Sequence, residues 1–222
     1  MLHLILYLAV MAAGAEPTAT NISVWPRPQH VEQAECGGGG GGGVSEVEVV
    51  GPVTFVGSGP ALTPMVARYE DLLFRHGPPP PATLTATPAT PATRIVLSVE
   101  AQTTAAPTLG TDESYSLRTY ANGTIAISAP TQAGALYGLE TLSQLLRFDP
   151  QLHSGDGGYM VACGLIVDDA PRFAHRELML DPGRYFLPVA LLREAVDAMV
   201  QVCVRVRLYA SVCARVGLWV GR

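Results

Sequence analysis

The stretch from Tyr115 to Arg147 constrains the fold more than any other. Tyr115 to Tyr120 and Thr124 to Ser128 are two short runs on either side of Asn122-Gly123. An Asn-Gly pair between two such runs specifies a tight hairpin. From Thr131 to Arg147 the period changes: Leu136, Leu139, Leu142 and Leu146 form a helical stripe, with Leu145 beside it. Gly134 and Gly138 stand four apart and let that helix sit close on a sheet. A hairpin followed at once by a one-sided helix must be covered by that helix, so the expected class is α/β, with helices packed on a sheet.

The flanking segments fit this class. Val44 to Val56 reads as a strand, alternating at Val47 and Val49 and broken near Gly51-Pro52. Pro60 to His76 places Leu62, Val66, Tyr69, Leu72 and Leu73 on one helical face. Arg94 to Glu100 and Met160 to Val167 read as further strands. Gly37 to Gly43 is an unbroken glycine run. It is a flexible loop and not a phosphate cradle, because no Lys-Ser/Thr closes it. Pro78 to Pro81, continuing to Thr93, is a second loop. Together these segments describe an α+β unit that ends near residue 167.

A second unit opens near Asp168. Glu177 to Asp181 is a short strand, Asp181-Pro182-Gly183 a loop, and Pro188 starts a helix bearing Val189, Leu192, Val196 and Met199. One β/α step cannot bury both faces, so more chain or a partner is implied. Beyond Gln201, Val204, Val206 and Leu208 alternate with Arg205 and Arg207 as a passable strand.

Composition excludes one class of partner. Only 15% of the 222 residues are charged and the net charge is −5, so no basic face for nucleic acid is expected. All 14 basic residues are Arg, which reads as coding bias. Leu2 to Ala13 followed by Ala13-Gly14-Ala15 has the form of a signal peptide over residues 1–15, too short to span a bilayer. Asn21-Ile22-Ser23 and Asn122-Gly123-Thr124 are glycosylation sequons, with Asn21 and Asn122 the acceptors. Cys36, Cys163, Cys203 and Cys213 allow disulfides in an oxidising compartment, although spacing assigns no pair and free thiols remain the alternative. No CxxC or Cys/His cluster points to a metal.

Several motifs resemble one family. Asp169-Ala170-Pro171-Arg172-Phe173-Ala174-His175-Arg176-Glu177-Leu178-Met179-Leu180-Asp181, then Arg184-Tyr185-Phe186-Leu187-Pro188, resembles the opening of the catalytic barrel in glycoside hydrolase family 20, the β-hexosaminidases. Glu113-Ser114-Tyr115-Ser116-Leu117 and the run Gly134 to Leu145 are similar to that family's N-terminal accessory domain, and Val24-Trp25-Pro26-Arg27-Pro28 to the start of the mature enzymes. The resemblance covers roughly residues 24 to 200. It implies an accessory domain over residues 16–167, the start of a (β/α)8 TIM barrel over 168–200, and a divergent tail over 201–222.

The resemblance also implies a chemistry. Family enzymes release terminal β-linked N-acetylglucosamine or N-acetylgalactosamine with retention, the substrate's own acetamide serving as nucleophile. No cofactor or metal is implied. The expected partners are N-acetylhexosamine-terminated glycans, with no nucleic acid and no stable membrane span, and a homodimer is an open option for the full-length enzyme. The expected compartment is the secretory pathway, lysosomal, vacuolar or extracellular. Arg176 matches the family's sugar-binding arginine; a structural ion pair is the competing reading. Asp181 and Arg184 are candidates for pocket support.

No catalytic residue is assigned. Asp112-Glu113 is the one Asp-Glu pair in the sequence, but it precedes a strand of the accessory domain and lacks the glycines of the catalytic motif. Asp168-Asp169 reads as a solvated linker turn. The chain is therefore expected to be an inactive, truncated fragment of such an enzyme. The alternative is a secreted, non-catalytic module that binds glycans or another protein.

Overall fold

The structure is a computed structural model that describes residues 23–34, 36, 46–57, 62–81, 92–101, 108–180, 186–201 and 205–208. The proposed leader, Asn21, the glycine run, Asp181, Arg184, Cys203 and Cys213 lie outside the described residues.

Strands β1 (His30–Gln33), β2 (Glu46–Val49) and β3 (Thr54–Val56) precede helix α1 (Leu62–Leu73). Then come β4 (Arg94–Ala101), β5 (Tyr115–Thr119), β6 (Thr124–Thr131) and helix α2 (Gln132–Leu145). The chain continues through β7 (Arg147–Asp149), β8 (Gly158–Ala162), β9 (Leu165–Asp169), β10 (Glu177–Leu180), helix α3 (Val189–Gln201) and β11 (Arg205–Leu208).

The main sheet has six strands in the order β1-β9-β5-β6-β4-β3. β5 and β6 form the expected antiparallel hairpin, with Leu117 opposite Ile127. β3 and β4 are parallel, and α1 supplies the crossover that parallel neighbours require. Alternation selects the buried face. Ile95 and Leu97, Tyr115 and Leu117, Ile125, Ile127 and Ala129, and Leu165 and Val167 all join one core. Tyr69 and Leu73 of α1, and Ala135, Leu139 and Leu142 of α2, close that core from above. The Tyr69 hydroxyl donates to Glu140 Oε2 at 2.7 Å and ties the helices together.

The sequence places Gly134 and Gly138 under α2, and the contacts show why. A Cβ on Gly138 would lie 2.5 Å from Ile127 Cγ2, and one on Gly134 would strike the Ser114 carbonyl oxygen. That oxygen belongs to the backbone and cannot rotate away. Gly134→Ala is therefore expected to lift α2 and cost about 1–3 kcal/mol. Gly110→Ala, where an added Cβ meets nothing within 4 Å, serves as the near-neutral control in the same urea titration. Equal midpoints for the two variants would contradict this account.

Two expectations need correction. Met160 to Val167 is not one strand: β8 ends at Ala162 and β9 starts at Leu165. Gly164 turns the chain at φ +68°, and Thr119 captures the turn through its hydroxyl, which donates to the Ala162 carbonyl at 2.6 Å. β8 consequently leaves the main sheet and pairs with β2 and β7 in a three-stranded sheet. The break expected near Gly51-Pro52 is present, and it sends β2 and β3 to different sheets. Second, the second unit is more than a single β/α step, because β10 pairs in parallel with β11 across α3. No closed barrel forms among the described residues.

A disulfide joins Cys36 to Cys163. It fastens the segment after β1 to the β8–β9 turn.

Candidate functional site

β5 sets up the site through its own alternation. Glu113 precedes Tyr115 by two residues and points to the same side as Tyr115, Leu117 and Thr119, all four of them buried. A carboxylate on an apolar face must find a cation or hydrogen bonds. Glu113 finds Arg176, which stands just before β10. Arg176 Nη2 donates to Glu113 Oε2 at 2.7 Å, with the two side chains 15% and 6% exposed. The Tyr137 hydroxyl, one turn into α2, donates to Glu113 Oε1 at 3.4 Å and accepts from Arg176 Nη2 at 3.4 Å. Arg176 Nη1 also donates to the Phe173 carbonyl. Burial pulls the guanidinium toward the neutral form, but the bond and charge of Glu113, aided by Tyr137, outweigh it, so the Arg176 pKa is raised.

The backbone around Glu113 is fixed as well. Thr131 caps α2, and its hydroxyl donates to the Asp112 carbonyl at 2.5 Å. Asp112 Oδ1 accepts from the Ser114 hydroxyl at 2.7 Å and from the Ser114 N–H at 2.9 Å. The Ser114 hydroxyl and N–H hold the exposed Asp112 carboxyl below its ordinary pKa.

A cavity of about 380 Å³ opens beside Arg176. Tyr115, Tyr137, Glu140 and Gln144 form its floor, and the segments around Trp25 and Phe173 form its walls. The wall at Trp25 is built by a paired amide contact. The Trp25 N–H donates to Gln144 Oε1, and Gln144 Nε2 donates to the Trp25 carbonyl, each at 2.8 Å. Asp169 anchors the other side. Its Oδ1 accepts from the Gln29 N–H at 3.0 Å, and its Oδ2 from the Tyr115 hydroxyl at 3.3 Å. Thr141 lies 2.5 Å from the same hydroxyl. The rings of Trp25 and Phe173 are left 75% and 68% exposed at the margin.

The structure thus sorts the sequence candidates. Arg176 is held in an ion pair, as the competing reading expected, and it also lines a concavity. It stands at the N-terminal end of β10, as the sequence suggested. Asp169 is no solvated turn, because it ends β9 and joins the N-terminal arm to Tyr115. Asp168 lies 3.9 Å from Arg118. Asn122 is exposed in the hairpin turn, where its Oδ1 accepts from the Thr124 N–H at 3.0 Å. Glu113 and Tyr137 went unrecognised as site residues. The available signal was period 2: an acid two residues before a buried strand position belongs inside and needs a partner.

The chain is similar to known proteins. A family model described as "beta-acetyl hexosaminidase like" matches residues 24–145. The β subunit of mouse β-hexosaminidase is 33% identical over 137 residues, which are 60% of this chain and 24% of that protein. The bovine α subunit is 31% identical over 194 residues, 86% of this chain and 35% of the other. Among solved structures, a D313N mutant of Streptomyces plicatus β-hexosaminidase with its product GlcNAc superposes with a TM-score of 0.57 at 25% identity, covering 85% of this chain and 34% of that one. These relatives are all glycoside hydrolases. The chain belongs to the β-acetyl hexosaminidase-like family, and it spans about a quarter of the mouse relative's length.

Proposed function

We propose that this chain is the N-terminal portion of a β-N-acetylhexosaminidase that removes terminal β-linked N-acetylglucosamine or N-acetylgalactosamine by substrate-assisted, retaining hydrolysis. Residues 1–15 act as a signal peptide, 16–167 as the accessory domain, 168–200 as the opening of the catalytic barrel and 201–222 as a divergent tail. Arg176 grips sugar hydroxyls through its rigid fork of donors. Asp181 and Arg184, in the segment after β10, support the pocket.

One observation carries the reading: the arginine of the Pro-Arg-Phe-x-His-Arg motif lines a cavity in a chain of this family. The exposed Asn122 and the Cys36–Cys163 disulfide favour passage through the secretory pathway, toward a lysosome, a vacuole or the exterior. Among the described residues, no helix is long and apolar enough to cross a membrane. The exposed Trp25 and Phe173 favour a second reading, a module that holds glycans on aromatic faces without cleaving them.

In either case the proton donor is not Asp112-Glu113. A general acid needs a raised pKa, whereas that of Asp112 is lowered, and Glu113 is engaged with Arg176. Purified residues 16–222 are expected to hydrolyse a chromogenic N-acetylglucosaminide no faster than buffer. Heat-labile turnover that is lost in Glu113→Gln would make that pair the donor and refute the assignment, whereas turnover that survives Glu113→Gln would place an acid elsewhere in this chain and refute the expected inactivity.

A further inference from the structure

We infer that Glu113 is a positioning residue: a carboxylate of the accessory domain that sets the angle at which the Arg176 guanidinium faces a sugar. The inference rests on the proposed sugar-binding role of Arg176. An arginine side chain has a long, flexible stem, and a sugar's hydroxyls accept hydrogen bonds only in narrow directions. A fork that recognises them must be held to within about 0.5 Å by groups that are themselves locked. Arg176 meets this condition from two sides. The Phe173 carbonyl takes Nη1 from within its own segment, and Glu113 takes Nη2 at 2.7 Å from a separate element 63 residues away. Glu113 is itself enclosed: it is 6% exposed, and the α2 cap bonds the carbonyl of the residue before it. Tyr137 touches both partners and settles the plane of the pair. The cation that meets the cavity is thus oriented by a residue that does not line it.

The test uses the 222-residue chain, N-acetylglucosamine as probe, and NMR to follow three signals: the sugar titration, the backbone amides and the Arg176 guanidinium nitrogens. The wild-type chain is expected to bind weakly but saturably. Arg176→Lys is expected to weaken binding roughly tenfold, the loss of a charged multi-bond contact. Glu113→Gln is expected to weaken it to a similar degree and to speed rotation of the Arg176 guanidinium, with the backbone spectrum otherwise retained. Glu113→Asp, which keeps the charge but withdraws the oxygens by one methylene, is expected to fall between wild type and Glu113→Gln. It carries the comparison should Glu113→Gln unfold.

The outcomes separate the two claims. No saturable binding by the wild-type chain, or full binding by Arg176→Lys, defeats the sugar-binding role of Arg176 and this inference with it. A weakened Arg176→Lys beside a Glu113 variant of wild-type affinity leaves that role standing and defeats the positioning. A Glu113 variant that melts earlier yet keeps the slow guanidinium and the sugar affinity shows a merely structural ion pair and also defeats it.

Discussion

Glu113→Ala is expected to destabilise the chain by about 3 kcal/mol, the cost of taking the Glu113 carboxylate away from a mostly buried cation. Arg176 cannot escape by losing its proton, because a guanidinium stays charged at any accessible pH. Its side chain is 15% exposed, so water offers partial relief, and the lower end of the range for buried pairs applies. The Tyr137 hydroxyl also loses its acceptor on Glu113 and adds to the cost. The pair itself is not the source of stability. Replacing both partners with apolar residues of similar size, as in Glu113→Leu with Arg176→Met, is expected to cost less than Glu113→Ala alone. Urea denaturation of Glu113→Leu, Arg176→Met and the double variant forms the required cycle, with Glu113→Ala measured beside it. A Glu113→Ala loss under about 1 kcal/mol, within the range of exposed pairs, would mean that the pair is wetter in solution than its geometry implies.

The same pair marks how far the sequence could be read. The hairpin at Asn122-Gly123, the Leu stripe of α2 and the glycines beneath it were legible, because each lies within one element and its spacing is its geometry. The α/β class followed from them. What escaped depended on distant residues. β1 and β7 are strands of four and three residues, defined only by the neighbours they pair with. The split of β8 from β9 depends on Thr119, 45 residues before the turn at Gly164, whose hydroxyl satisfies both flanks. Asp169 looked solvent-facing beside Pro171, because nothing local reveals that Gln29 and Tyr115 arrive from elsewhere. Glu113 and Arg176 were each noticed, but their pairing across 63 residues was not. Periodicity reports which side of an element is buried, and it cannot report which distant group shares that side.

Loss of the Cys36–Cys163 disulfide is expected to lower stability by about 2–4 kcal/mol, with a fall in melting temperature on the order of 10 °C. The link spans 127 residues, and closing so long a loop removes much of the unfolded chain's freedom. It also matters locally. Beside it, the Ala34 N–H donates to the Gly164 carbonyl at 2.9 Å, and a Cβ on Gly164 would strike the Ala34 carbonyl oxygen. The disulfide therefore holds an approach that glycine alone permits, and β1, an edge strand of four residues, depends on it to stay paired with β9. Cys36→Ser with Cys163→Ser should increase hydrogen exchange first at Ala34, whose N–H bonds the Gly164 carbonyl, and at Glu32 on the same side of β1, and only later in β5 and β6. Non-reducing peptide mapping of the wild-type chain should recover Cys36 and Cys163 in one linked fragment. Recovery of Cys36 joined to Cys203 or Cys213 would show that the arm after β1 runs elsewhere, since Cys163 is 1% exposed and admits only a partner that reaches the β8–β9 turn.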